Sequence, residues 1–282
     1  AIKCIQPGQP ILHKGAAADA LYMRASDQLN GAVDRYNGLC KSVCLDWDSV
    51  SGTWIKRATN NPASLYRLVL QDRANKKPVS DAKIDLVKLQ EWHEYCEDKG
   101  YHFNAKYDFA TTIGEVLDDI CAAGRAKKHR IDGLYTVVID RAQTVPKQHF
   151  GARNSWGYRY EVAFPDLPHG FRVPFINEEN GYADDEMIVY ADGYDESNAS
   201  EFEQLEFFGV TNPDQIWKQG REHLAAAKLR PFVHYFNCDA EILASNKGDL
   251  IRFSHDVVLV GLGSMRIKGL IIDAGDPTKT AG

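Results

Sequence analysis

A single change of hydrophobic period constrains this chain more than any other feature. Before Asp132-Gly133 the apolar residues recur at helical spacing, and after it they alternate. Asn61-Pro62 supplies a helix start, with Asn as N-cap and Pro at the first helical position. Leu65, Leu68, Val69 and Ala74 follow at helical spacing. Asp85 to Gly100 predicts a second helix, with Leu86, Leu89, Trp92 and Cys96 on one face and Gly100 closing it. Thr112-Ile-Gly-Glu115 matches the capping-box pattern and opens a third helix through Ile113, Val116, Leu117, Ile120 and Cys121 to Gly124.

Beyond Asp132-Gly133, a turn pair, Leu134–Asp140 reads as a strand. Further strands are expected at Tyr158–Ala163, Gly170–Asn177, Glu186–Tyr190, Pro231–Cys238, Asp249–Ser254, Val257–Val260 and Arg266–Ile272. One helix interrupts them, from Asn212-Pro213 to about Leu229. Upstream, Ala16–Leu39 predicts a helix weakened by Gly31 and Gly38, and Asp46–Gly52 a turn into Thr53–Arg57. A helical block followed by mostly β structure is an α+β class, because a parallel α/β sheet would need regular alternation.

Composition narrows the function classes. A net charge of −6 argues against a protein that coats nucleic acid, which needs a basic face. The short basic run Gly124–Arg130 reads as a solvated helix end. No stretch approaches the roughly 20 apolar residues of a membrane span. Pro7 and Pro10 interrupt any signal-peptide core. The chain starts without Met inside a strand-like run, so a piece of a longer protein is expected. Six cysteines in 282 residues do not make a disulfide framework, and a reducing compartment fits them better.

Candidate chemistry is sparse. Val257–Val260 with Gly261-Leu-Gly263 begins like a dinucleotide fingerprint, but position 266 is Arg where a third Gly is needed, and no βαβ unit follows. A turn between strands is expected there. His255-Asp256 could be a base with its partner, yet adjacent strand residues point to opposite faces. Cys40, Cys44, His93 and Cys96 could supply four zinc ligands. Against that, Cys96 belongs to an apolar helix face, His93 turns partly aside, and Cys40 and Cys44 have apolar neighbours. The acidic stretch Asp184-Asp-Glu186 to Asp192–Glu196 could bind calcium or hold a glycosidase carboxylate pair, but it lacks the EF-hand pattern and most such stretches are solvated loops. The Asn198-Ala-Ser200 sequon carries no weight without a secretory signal. No catalytic, cofactor-binding or metal-ligating residue is assigned, and no cofactor is expected.

Taken in order, Asn61–Arg67, Leu89–Cys96, Phe103-Asn104 and Ile113–Ile120 resemble the hub region of phage tail-tip, or host-specificity, proteins. The resemblance continues through Gly133–Arg141, Asn154–Gly157, Phe164–His169, Phe175–Asn177 and Arg221-x-His223. It ends with Gly248-Asp249 and Arg266–Lys268, and covers about residues 60–270. It implies a non-enzymatic structural protein of a phage or prophage tail tip or baseplate hub. Such a protein caps the tail tube, forms a homotrimer around a DNA channel and links to host-attachment parts. On this resemblance residues 1–55 end a preceding hub domain. Residues 56–145 form an α+β hub subdomain, and 146–282 a β-barrel-like hub domain with one inserted helix. The expected partners are other copies of the chain, the tail tube and neighbouring tip proteins. The expected location is the virion tail tip, after assembly in the bacterial host cytoplasm. A net negative channel wall would let DNA slide without sticking. The alternative is a carbohydrate-active hydrolase using a carboxylate pair.

Overall fold

The computed structural model describes residues 38–73, 75–162, 167–255, 263–269, 271–272 and 280–281. The chain divides into two compact units, with the boundary after Cys40. The larger unit, 41–282, contains all the elements described below. Most of the helix expected over 16–39 lies outside the described residues, as do Ala74, Asp256, Val257–Val260 and Gly261.

The unit opens with a hairpin, β1 (Val43–Asp48) paired antiparallel with β2 (Thr53–Ala58). Asp46 therefore belongs to a strand, and the expected turn begins only after Asp48. Helices α1 (Pro62–Gln71), α2 (Leu86–Lys99) and α3 (Ile113–Ala123) follow. Each start is built as its sequence demands. The Asn61 side chain accepts from Ala63 N, Asp85 accepts from Lys88 N, and Thr112 and Glu115 form the reciprocal capping box. Gly100 ends α2 with φ +71°, a left-handed conformation that suits glycine. Tyr66 and Trp92 meet edge to face at 5.8 Å in the centre of the helical layer. The Trp92 indole N–H donates to Gly124 O at 2.8 Å, so the largest buried side chain is also satisfied.

The basic run is a strand and not a helix end. β3 (Ala126–Ile131) pairs antiparallel with β4 (Leu134–Ile139) through Asp132 and Gly133, whose φ values are +52° and +81°. Two consecutive positive φ angles make the turn type that matches strand twist. Ala126 faces the core while Lys127 and Lys128 face solvent, and the early glycine at 124 ends α3 before the lysines.

The remaining strands form small sheets. β6 (Ser155–Val162) pairs with β10 (Phe232–Cys238). β7 (Gly170–Asn177) lies between β8 (Ala183–Tyr190) and β9 (Phe202–Gln204). β11 (Leu250–Phe253) lies between β5 (Gln148–Phe150), parallel to it, and β12 (Gly263–Arg266), antiparallel. β13 (Ile271–Ile272) and β14 (Thr280–Ala281) form a last pair. The α+β class holds. Among the described residues, however, each sheet has only two or three strands and none closes into the expected barrel. Two of the strands are three residues long, and the β6–β10 ladder shifts register between Tyr235 and Asn237. Both features stop a sheet from propagating. Gly263 sits in β12 and not in a turn, and the strand expected from Arg266 to Ile272 is broken after Arg266.

Helix α4 (Pro213–Leu229) joins the two kinds of structure. Its Gly220 approaches β8 so closely that a Cβ would lie 2.9 Å from Val189. On its other side, the buried Gln215 amide donates to His102 O and Ala123 O and accepts from His102 N. Gln219 donates to Ala123 O at 2.8 Å. The main apolar core accordingly runs from Cys44 to Leu224 without a break between helical and β parts. A smaller core gathers Phe150, Cys238, Ile242, Ile251, Phe253 and Ile267.

Gly248 holds the approach to β11. Its φ is +89°, its N–H donates to Ile267 O, and a Cβ there would run into Val138. Gly248→Ala is expected to lower unfolding stability by roughly 2–4 kcal/mol, from backbone strain plus overpacking. Gly269→Ala, where a Cβ meets open space, should stay within about 0.5 kcal/mol of wild type. Urea denaturation of both variants checks the contrast.

Candidate functional site

One buried carboxylate node, one partly buried node and one open cleft hold most of the chemistry among the described residues. The first node is Asp46 on β1. Its Oδ1 accepts from Ser64 Oγ at 2.6 Å and from His93 Nε2 at 2.9 Å, and its Oδ2 accepts from Arg57 Nε at 2.5 Å. Burial pushes the carboxyl up, but the bonds from Ser64, Arg57 and His93 together hold it below its ordinary value. An ionised carboxylate only accepts, so His93 carries its proton on Nε2. The order Ser–Asp–His leaves the serine without a base, because a nucleophilic triad places the histidine in the middle. The node therefore ties β1, β2, α1 and α2 together.

His93 is fully buried, and is not turned aside as its helical spacing suggests. The reason is Asp46, a partner 47 residues earlier that draws the imidazole inward. Of the four candidate soft ligands, Cys40 is exposed, Cys44 donates to Ser64 O and Cys96 to Gly124 O. Burial raises the Cys44 thiol to about 11 and pushes Cys96 well up. A thiol must lose its proton to bind a metal. Among the described residues no three His, Cys, Asp or Glu side chains gather in a metal-holding group.

The second node is Asp140 at the end of β4. It accepts from Arg125 Nη2 at 2.6 Å and from Arg266, while Arg230 stands 4.0 Å away. Arg266 also donates to Arg141 O, and Arg125 pairs with Glu222 on α4. Burial pushes the Asp140 carboxyl up, but the bond from Arg125 and the surrounding guanidinium charges hold it below its ordinary value. Arg266 is the residue standing where a dinucleotide loop needs its third glycine. In the structure it anchors β12 to the end of β4.

The acidic stretch is occupied by local bonds. Asp185 accepts from Asn177 and Glu186 pairs with Arg172 at 3.4 Å. Asp192 pairs with Arg221, and Asp195 caps Ser197 N at 2.8 Å. Asn198 accepts from Asp195 N and donates to Gly193 O, which closes the loop on itself. His255 stacks on Tyr158 at 4.8 Å, within a row of rings that includes His234 and Phe253. Its neighbour Asp256 lies outside the described residues. The outer edge of that row is open, with Tyr160 and Phe232 each about half exposed.

Sequence reasoning does not find the cleft between α1, α3 and the β3–β4 hairpin. It encloses about 570 Å³. Tyr66, Leu70, Val79 and Leu117 form its floor, and Lys77, Lys128 and Arg130 stand at its rim. Lys128 is engaged by Asp118 at 2.6 Å. Arg130 lies over the Tyr135 ring, 4.6 Å from its centroid, and neither it nor Lys77 has an ion pair among the described residues. The signal lies in the basic run: as a strand it sends Lys128 and Arg130 to one face.

Comparison with protein-family models returns no match, and neither does comparison with curated proteins. Among solved structures, the tail protein from Neisseria meningitidis MC58 is similar at 13% identity and a TM-score of 0.48. The match covers 62% of this chain and 55% of that one, so the chain spans about half the length of the Neisseria protein. The 43 kDa tail protein of prophage MuSo2 from Shewanella oneidensis is similar at 10% identity and a TM-score of 0.42, over 91% of this chain and 84% of that one. At these scores the overlap assigns neither fold nor function.

Asp46→Asn is expected to cost roughly 2–3 kcal/mol near neutral pH, by replacing charge-assisted hydrogen bonds with weaker ones. The folded-state value of Asp46 is lowered from 3.8, so its contribution is present above that pH and is lost as pH falls through the folded value. The gap between wild type and variant should therefore narrow below about pH 4. Denaturation midpoints measured from pH 7 to 3 test both the size and the trend.

Proposed function

We propose that this chain is a structural component of a phage or prophage tail, in the tip or baseplate hub. There it caps the tail tube and links it to host-attachment parts. Residues 1–55, 56–145 and 146–282 would be successive hub segments, the last of them the barrel-like one. Copies of the chain would assemble, as a homotrimer, around a channel through which DNA passes without specific binding. The virion tail tip would be its location, after assembly in the host cytoplasm.

The observation that carries this reading is what the resembling residues do. Asn61 caps α1 and also donates to His93 O at 3.1 Å. Asn104 bonds Gly209 O through its backbone and Thr211 through its side chain. Asp140 gathers arginines, Arg221 bonds Tyr190 O, and Gly248 shapes the approach to β11. Each joins elements far apart in sequence, and none of these residues is assembled with a nucleophile and base. Residues of this kind suit a part whose function is its shape and its contacts. The two tail-protein structures superpose too loosely to add weight, so the motif order over residues 60–270 supports the class.

Tail particles purified after prophage induction should contain this chain in fixed stoichiometry with the tube protein, at one end of the tube by antibody labelling. Deleting its gene should give tubes of uncontrolled or absent tips. Intact, infective particles lacking the chain would contradict the proposal.

A further inference from the structure

Asn30, Asn37 and Asn180 each precede a glycine, and of these asparagines only Asn180 is among the described residues. It stands with Gly181 in the turn between β7 and β8, and both residues are exposed. Backbone bonds close that turn, from Asn180 N and Tyr182 N to Asn177 O at 3.3 and 2.8 Å, and from Ala183 N to Asn180 O at 3.3 Å. Two groups take no part in it. Neither the Asn180 side-chain amide nor the Gly181 N–H makes a hydrogen bond among the described residues. Gly181 has φ +63°, and a Cβ built there would meet nothing within 4 Å. An exposed amide carbon, Asn180 Cγ, therefore comes one residue before an unbonded and unhindered backbone nitrogen. Asn198 is also exposed and makes the contrast. Its Oδ1 accepts from Asp195 N at 2.7 Å, and its Nδ2 donates to Gly193 O at 3.0 Å.

We propose that Asn180-Gly181 is a site of spontaneous covalent modification, at which the asparagine becomes aspartate and isoaspartate. The Gly181 nitrogen gives up its proton to solvent and attacks Asn180 Cγ. The new N–C bond closes a succinimide ring, and the side-chain nitrogen leaves with a proton from solvent as ammonia. Water then opens the ring at either carbonyl. One opening gives aspartate. The other gives isoaspartate, in which the backbone runs through the former side-chain carbon. No atom is oxidised or reduced, and water is the only co-reactant. Attacking and attacked atoms belong to adjacent residues, so the first step has the advantage of an intramolecular reaction. Glycine presents no Cβ to obstruct the approach. The product adds a negative charge to a hairpin end that already carries Glu178, Glu179, Asp184 and Asp185. Isoaspartate also lengthens the backbone by a carbon inside the turn that the Asn177 and Ala183 bonds close. Older chains thus present a more acidic and longer turn on this face.

The test incubates the full, folded chain in mildly alkaline buffer and digests samples at intervals. Peptides are resolved by liquid chromatography and mass spectrometry against synthetic aspartyl and isoaspartyl standards. The peptide holding Asn180 should gain the mass of an amide-to-acid change and split into two isomers, faster at higher pH, while Asn198 stays intact. Asn180→Gln must close a larger ring and should convert about tenfold more slowly or less. Ala199→Gly separates structure from sequence, because it places a glycine after Asn198 and leaves the Asp195 and Gly193 bonds in place. Asn198 in that protein should still convert about tenfold more slowly than Asn180. Thermal unfolding of each protein confirms that it stays folded during incubation. An Asn180 that stays unmodified in the folded chain, while the same segment converts as a free peptide, overturns the proposal. So does an aspartyl product with no isoaspartyl isomer, which would mean hydrolysis without the ring. Equal conversion of Asn180 and Asn198 in the Ala199→Gly protein overturns the part assigned to the unbonded side chain.

Discussion

Asp140 is the constraint on which the joined structure depends. A carboxylate in a partly buried position must be compensated, and here guanidinium groups from three distant points of the chain surround it. Arg125 comes from the end of α3, Arg266 from the last strand of the smaller core and Arg230 from the end of α4. Through Arg125 the same node reaches Glu222. A single acidic side chain thereby fixes the β3–β4 hairpin, the long helix and β12 against one another. Asp46 performs the same task at the other end, where it holds the first hairpin to α1 and α2.

These joints determine what is left outside. Once α1, α3 and the β3–β4 hairpin are fixed, the space between them stays open as the cleft. The far end of the β7–β8 hairpin is held at Glu178, whose carboxylate accepts from Thr211 and from Asn212, the N-cap of α4. The aromatic row on β6 and β10 is exposed at its outer edge because its sheet has only two strands. A protein with several small sheets and few closed edges presents much surface to partners, which fits the proposed role in an assembly.

Local chemistry is the legible part of the sequence. Asn61-Pro62, Thr112 with Glu115, Asp132-Gly133 and Asn212-Pro213 each name a helix start or a turn through nearby bonds, and each stands where the sequence places it. The illegible part depends on distance along the chain. His93 looks half-exposed because nothing nearby explains its burial, and its partner is 47 residues away. Arg266 looks like a missing glycine, and its partner is 126 residues away. Gly124–Arg130 reads as helix because a strand edged with lysines shows no alternation until its partner strand is known. The resemblance implies a barrel-like domain, yet pairing decides closure, and pairing is not written in composition. No candidate catalytic or metal residue finds a partner set among the described residues beyond its structural bonds.

The central claim is that a few long-range polar joints, and Asp140 above all, make one body of a helical block and a set of small sheets. Hydrogen–deuterium exchange of the wild type and Asp140→Asn measures this directly. The account predicts faster exchange in the variant at residues 263–267, at β11 and at the start of β3, with α1 and the Asp46 node unchanged. Equal protection of residues 263–267 in both proteins would contradict it.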